Sequence, residues 1–155
     1  MEGTIREARP ADVPILEVVR RQALERDLAG EYDRSEFAGL IARSDAPLSA
    51  WIDAPDSEYL VSLVETDVTV VCYGVYDRSD AAVRGLYTAP EYRRLGCASA
   101  LLDRFESTAR GDGVATIEAT VPRPAADFFV SRGFETRGSR EWRGLSGVKL
   151  SKRIE

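Results

Sequence analysis

Histidine is absent from this 155-residue chain. That gap removes Ser-His and Cys-His nucleophilic pairs and every histidine-ligated zinc site, so chemistry here rests on other groups and no metal is expected. Cys72 and Cys97 are the only cysteines, too few and too far apart for a disulfide framework, and both read as free thiols in a reducing compartment. Lysine is scarce too: Lys149 and Lys152 stand alone, and arginine supplies the rest of the 21 basic side chains. No apolar run approaches the roughly 20 residues needed to span a bilayer, and the opening MEGTIREARP lacks the apolar core of a signal peptide. A cytoplasmic location without membrane contact is the expectation. Net charge is −5, which disfavours a nucleic-acid partner held by phosphate neutralisation. Neither Gly-x-x-x-x-Gly-Lys-Ser/Thr nor Gly-x-Gly-x-x-Gly after a strand occurs, so the common nucleotide-hydrolase loops are excluded.

What is present is the composition of an ordinary globular protein, 44% hydrophobic and 30% charged, of a length suited to one domain over residues 1–155. No repeat or linker-like tract divides it. Thr4 to Ala8 reads as a strand, and Asp12 and Pro14 open a helix carrying Ile15, Leu16, Val19 and Ala23, which Gly30 ends. A second helix is expected from Ser35 to Arg43, and a loop between Pro47 and Pro55. Tyr59 to Glu65 and Val68 to Tyr76 form a hairpin pattern around Thr66 and Asp67, followed by a third strand from Ala82 to Thr88. Then the period changes. Ala98, Leu101, Leu102, Phe105 and Ala109 mark one face of an amphipathic helix, which Gly111 and Gly113 stop. Val114 to Val121 alternates as a half-buried strand, a short helix covers Pro124 to Ser131, and strands follow near Phe134 to Arg137 and Val148 to Ile154. The strand-helix-strand segment implies a parallel pair, and the hairpin an antiparallel one. The fold class is therefore α/β, with a mixed sheet and helices on both faces.

The chemistry concentrates between Leu86 and Ser99. A loop opening a helix presents unpaired N–H groups at the positive end of the helix dipole, which suits a pyrophosphate. Gly96 and Ala98 are small enough to let an anion reach the backbone, while Arg93 and Arg94 oppose the dipole unless an anion is present. Taken alone, this loop is open to two readings: a phosphate cradle, or two solvated arginines on a tight turn.

The spacing Arg93-x-x-Gly96-x-Ala98, with Pro90 ahead of it, resembles the acetyl-CoA signature of the GNAT superfamily, Gln/Arg-x-x-Gly-x-Gly/Ala after a strand ending in Val-x-Pro. Thr4 to Asp12 resembles that family's first strand and helix cap, and Ala126-x-Phe128-Phe129-x-x-x-Gly133-Phe134 resembles its late helix and following strand. The likeness covers nearly the whole chain in order. It implies an N-acetyltransferase of partly splayed sheet, with acetyl-CoA as co-substrate and an amine as acceptor. By that resemblance, backbone groups of Leu86, Tyr87 and Thr88 pair with the pantetheine arm. Arg93, Arg94, Leu95, Gly96, Cys97, Ala98 and Ser99 cradle the pyrophosphate, Phe129 lines the site, and the strands carrying Leu86 and Ile117 diverge.

Two positions depart from the family pattern. Phe129 stands where a tyrosine often protonates the departing thiolate, and Arg123 where an asparagine is frequent. The missing phenol favours a second reading, an acyl-CoA-binding sensor or regulatory module of weak activity. Glu118 is the candidate base, with a solvated carboxylate as its alternative, and Tyr87 is the candidate acid. Cys97 reads as a small inward hydrophobe, since no histidine can activate it. Trp51 and Trp142 fit either a pocket wall or the core. Acidic side chains outnumber basic ones between Glu25 and Asp45 (Glu25, Asp27, Glu31, Asp33, Glu36 and Asp45 against Arg26, Arg34 and Arg43), which favours a cationic acceptor or else forms a solvated face. Assembly as a homodimer stays open.

Overall fold

The structure, a computed structural model, describes residues 3–42 and 46–155. Seven strands form from the β-rich runs: β1 (Thr4–Glu7), β2 (Tyr59–Glu65), β3 (Val70–Asp77), β4 (Ala82–Thr88), β5 (Thr116–Pro122), β6 (Glu135–Trp142) and β7 (Leu145–Arg153). They join one sheet in the order β1-β2-β3-β4-β5-β7-β6. Only β4 and β5 are parallel; the other neighbours are antiparallel. The described helices are α1 (Val13–Leu28), α2 (Arg34–Ala42), α3 (Ala46–Asp53), α4 (Cys97–Gly111) and α5 (Ala126–Ser131). The mixed α/β sheet inferred from the sequence is what folds. Among the described residues, no helix is long and apolar enough to cross a membrane.

The sheet separates two apolar layers. On one face Leu16, Val19, Ala23 and Leu24 of α1 pack with Leu63, Tyr73 and Val75. On the other, Leu101, Leu102, Phe105 and Ala109 of α4 pack with Val71, Tyr76 and Ile117, and the Tyr76 and Phe105 rings stack 5.7 Å apart. Each of the leucine, valine, isoleucine and phenylalanine side chains among them contributes about 1.5–3 kcal/mol through burial. Because α1 and α4 cover β3 from both sides, all eight of its residues are buried. Gly74 follows from this crowding: a β-carbon there would lie 2.7 Å from Phe105 Cε2.

Pairing between β4 and β5 stops early. Only Ala82–Glu118 and Val83–Ala119 are in register, at the start of β4. The cause is visible on β4's other edge, where Val75 opposes Gly85 and Tyr76 opposes Val83, leaving Arg84 as a bulge. A bulge bends its strand and increases its twist, so β4 turns away from β5 at the next residue. Arg84 is fixed by Asp77 at 3.0 Å and Asp80 at 2.6 Å. The divergence implied by the family resemblance is thus present.

Several elements differ from expectation. The loop drawn between Pro47 and Pro55 contains helix α3, because a proline in a helix's first turn gives up no intrahelical bond. The expected helix end at Arg43 lies outside the described residues, as does Asp45. Strand β3 begins at Val70 rather than Val68, whose side chain is exposed in the turn. The last two strands are longer than read and form a hairpin. Its turn residues Arg143 (φ 48°) and Gly144 (φ 88°) both adopt positive φ, as a tight two-residue hairpin requires, but Arg-Gly is not the usual signal for one.

The N-terminal strand is anchored by Arg6. Its guanidinium donates to Asp12 at 2.8 and 2.9 Å and to Glu65 at 2.9 and 3.2 Å. Asp12 also accepts the Arg9 N–H at 2.7 Å. These bonds, Arg6's first among them, hold the Asp12 carboxyl at about 2, below its ordinary 3.8. A depressed carboxylate contributes stability above its unfolded pKa, and that contribution is lost as pH falls through the folded one. Asp12→Asn should therefore lower Tm by about 2–4 °C at pH 7, equivalent to about 1 kcal/mol in a chain of this size. Thermal melts should show that difference closing between about pH 4 and about pH 2; a constant difference across that range would refute the ionic origin.

Candidate active site

After β4, the chain takes a short 3-10 turn (Pro90–Tyr92) and then passes twice through the left-handed region before α4 begins. Arg94 has φ 64° and Gly96 φ 85°. For Gly96 this conformation costs little, while for Arg94 it costs about 1–2 kcal/mol. The effect is to aim the start of α4 into a cleft. Gly96 is the N-cap of α4 and supplies no side-chain hydrogen bond to the first turn.

That cleft measures about 470 Å³ and is lined by Arg93, Arg94, Gly96, Cys97, Ala98 and Ser99 on the loop side. Leu86 and Thr88 of β4, Phe128 and Phe129 of α5, and Arg132 just after α5 form other parts of its wall. A second, narrower cleft of about 40 Å³ occupies the β4–β5 opening, between Gly85, Leu86 and Tyr87 on one strand and Thr120, Val121 and Pro122 on the other. The two clefts share Asp27, Leu86, Ala125 and Phe129, which therefore mark the passage between them.

Most of the sequence candidates converge here, with three exceptions. Leu95 is half exposed and outside the large cleft. Tyr87 lies in the narrow cleft instead, 7% exposed, with its ring 5.3 Å from that of Tyr73. Glu118 borders neither cleft. It sits at the closed end, where β5 still pairs with Ala82, and its carboxylate is 3.7 Å from Lys149 Nζ. Cys97 is buried, and desolvation pushes its thiol up, in keeping with an apolar role. Phe129 is buried between Phe128 and Phe134 in edge-on contacts of 5.4 and 5.2 Å. Trp51 pairs with Tyr59 at 5.8 Å, away from the site, whereas Trp142 lines the narrow cleft.

Charge in the large cleft is lopsided. Arg93, Arg94 and Arg132 contribute to its wall against one carboxylate, Asp27. Asp27 Oδ1 is 3.3 Å from Arg93 Nη1. Burial pushes the Asp27 carboxyl up, while Arg93 and Arg26 pull it back down. Arg94 has no ion pair among the described residues. A helix start without a side-chain cap, in a cleft with three guanidinium groups of which Arg132 is also held by Asp103 at 2.8 Å, has the chemistry to attract a polyanion such as a diphosphate.

A family model for acetyltransferases (GNAT) matches residues 22–134, a span that contains the β4 and β5 walls of the narrow cleft and the loop wall of the large one. The chain belongs to the GNAT acetyltransferase family. It is accordingly an acyltransferase of a family whose co-substrate is acetyl-CoA. Solved structures agree on the GNAT fold. PaiA N-acetyltransferase from Thermoplasma acidophilum, solved with coenzyme A, is 20% identical over 99% of each chain with a TM-score of 0.84. A GCN5-related N-acetyltransferase from Rhodopseudomonas palustris is 19% identical over 99% of this chain and 97% of that one, also at 0.84. YncA from Salmonella typhimurium, solved with acetyl-CoA, is 20% identical over 100% and 95%, at 0.72. No curated protein sequence matches the chain.

Within this GNAT frame, Arg123 is not a cleft residue but a clamp. Its guanidinium lies 4.4 Å from the Tyr32 ring centroid and donates to Ser146 Oγ at 2.8 Å and to the Glu31 carbonyl at 2.7 Å. Its N–H donates to Tyr32 Oη at 2.9 Å, and that hydroxyl donates to the Ser146 carbonyl at 2.6 Å. The segment after α1 is thereby tied to the β5 end and to the last hairpin. Sequence reasoning missed Arg132 and the individual place of Asp27. Arg132 could have been noticed as the residue before Gly133 at the end of α5; nothing local singles out Asp27 from its acidic neighbours.

The Gly96 geometry generates a test. A β-carbon there would meet nothing within 4 Å, so the obstruction is the left-handed φ and the side chain's projection into open space. Gly96→Val should cost about 1–2 kcal/mol of stability yet fold. Acetyl-CoA at 100 times its Kd should stabilise the parent by about 2.7 kcal/mol, read as a rise in Tm, and the variant by much less. An equal rise in both would reject the cradle.

Proposed function

We propose that this chain transfers the acetyl group of acetyl-CoA to a primary amine, carried by a small molecule, peptide or protein. The observation that carries this reading is the conjunction of a helix start without a side-chain cap, three arginines and a parted β4–β5 pair in one continuous opening. Arg93 to Ser99 bind the pyrophosphate with backbone N–H groups and guanidinium charge. The free edge of β4 from Leu86 to Thr88 takes the pantetheine arm as a strand would take a neighbour. That GNAT relatives of this fold were solved with coenzyme A and acetyl-CoA supports the same assignment.

The acceptor enters from the narrow cleft, on the α1 side, and a backbone N–H near Tyr87 or Thr88 meets the developing oxyanion. Catalysis consists mainly in holding nitrogen and carbonyl carbon together. A cationic amine suits the acidic α1 end. Two buried free thiols fit a reducing, cytoplasmic setting. One observation favours the sensor reading: Phe129 is buried and brings no phenol to the passage. Thiol release from acetyl-CoA across a panel of primary amines separates the two readings, since a sensor binds the cofactor and releases nothing.

Tyr87 supplies the phenol that Phe129 lacks, from the opposite layer of the sheet. Tyr87→Phe should lower kcat about 10²-fold or more if the phenol protonates the departing sulfur. The acetyl-CoA-induced rise in Tm should stay as in the parent. An unchanged kcat would mean that the thiolate departs without help from this side chain.

A further inference from the structure

Of the described acidic residues from Glu25 to Glu36, Asp27 is the one that borders the passage. Glu25 is held by Arg34 at 2.6 Å, Glu31 lies 3.9 Å from Arg123, and Glu36 accepts the N–H of Asp33 at 3.0 Å. None of these lines either cleft. Asp27 lines both, and it is the sole carboxylate among the residues that do so in either one. Its position follows from the sequence: Leu24 and Leu28 are buried against the sheet, so the residue before Leu28 falls on the flank of α1 that overlooks β4.

Its present partner is the informative part. Arg93 is the first residue of the phosphate-binding motif, and it is held 3.3 Å from Asp27. Both side chains are partly exposed, so the pair is weak and can be exchanged. A polyanion in the large cleft competes for Arg93, and a partly desolvated carboxylate that loses its cation has to find another. In the narrow cleft an ammonium faces two charged side chains, Asp27 and Arg84, and only the first is an anion.

We propose that Asp27 binds the ammonium of the acceptor amine and takes its proton, exchanging Arg93 for the substrate once acetyl-CoA is in place. The assignment rests on the acetyl-transfer reading above. The balance is simple. The ammonium gives one proton to the Asp27 carboxylate, and the freed nitrogen lone pair forms the C–N bond to the acetyl carbon. The C–S bond breaks with its electron pair going to sulfur, sulfur takes the proton of the Tyr87 phenol, the second nitrogen proton restores that phenol, and Asp27 returns the first to solvent. The charged groups around Asp27 are Arg93 and Arg26, which favour its ionised form, against burial, which disfavours it. Arg94 and Arg132 share the large cleft with it. Binding is consequently ordered, with acetyl-CoA before the amine.

The test uses the full chain and spermidine, agmatine, lysinamide and a basic hexapeptide; whichever releases thiol fastest is the probe. Asp27→Asn should lower kcat/KM for that amine about 10²-fold or more. Its acetyl-CoA affinity, by calorimetry, should equal or exceed the parent's, because Arg93 is freed. The low-pH limb of kcat/KM, present in the parent above the ordinary carboxylate range, should disappear. In the parent, the probe amine should bind at least tenfold more tightly with coenzyme A present than without, a readout that needs no variant to fold. Activity of Asp27→Asn within about threefold of the parent overturns the assignment, as does equal amine binding with and without coenzyme A. Parallel loss of acetyl-CoA affinity and turnover also overturns it, by making Asp27 a structural tie for the loop. Absence of thiol release by the parent with all four amines is a different failure, that of the transferase reading itself.

Discussion

Two residue pairs are all that join β4 to β5, and the rest of each facing edge has to satisfy its backbone groups elsewhere. The other features of the site depend on that constraint. The Arg84 bulge bends β4 away, and the Asp77 and Asp80 carboxylates hold the bulge in place. The apolar layers on the two faces are anchored independently, so the sheet parts without losing its core. The opening is narrow at the strand edges and wide where α4 begins, which is the outline of a ligand with a thin arm and a bulky anionic end.

Electrostatics divides the opening in the same way. Guanidinium groups gather at the α4 start, where the helix dipole already repels cations, and Arg94 is held in left-handed backbone. Such an arrangement is unfavourable in an empty protein and becomes favourable when an anion arrives. Asp27 lies on the boundary between this basic region and the narrow cleft. Its ion pair with Arg93 joins the loop proposed to hold the cofactor to the cleft proposed to admit the acceptor, which makes it the point at which one ligand would influence the other.

Much of this was legible in the residues. The β-rich run from Ala82 to Thr88 coincides with strand β4, and the apolar spacing from Ala98 to Ala109 marks α4 because that helix packs one face against the sheet. The motif from Arg93 to Ala98 located the loop, since glycine at a positive φ and a helix start leave a short, local signature. What escaped depends on contacts distant in sequence. The bulge at Arg84 is defined by its partner strand, and Asp27 meets Arg93 across 66 positions that no local pattern connects. Glu118 alternated correctly on its strand, but only the register with Ala82 reveals that it sits at the closed end. Helix α3 was hidden by Pro47, which reads as a breaker although the first helical turn tolerates it.

On the proposed function, the parted edge of β4 and the start of α4 bind one ligand together. Backbone amide signals followed by two-dimensional NMR during an acetyl-CoA titration test it most directly. Leu86, Tyr87 and Thr88 should shift in concert with Gly96 to Ser99, along one binding curve, while β1 and β2 stay still. Shifts confined to the loop with the β4 amides unmoved would contradict it.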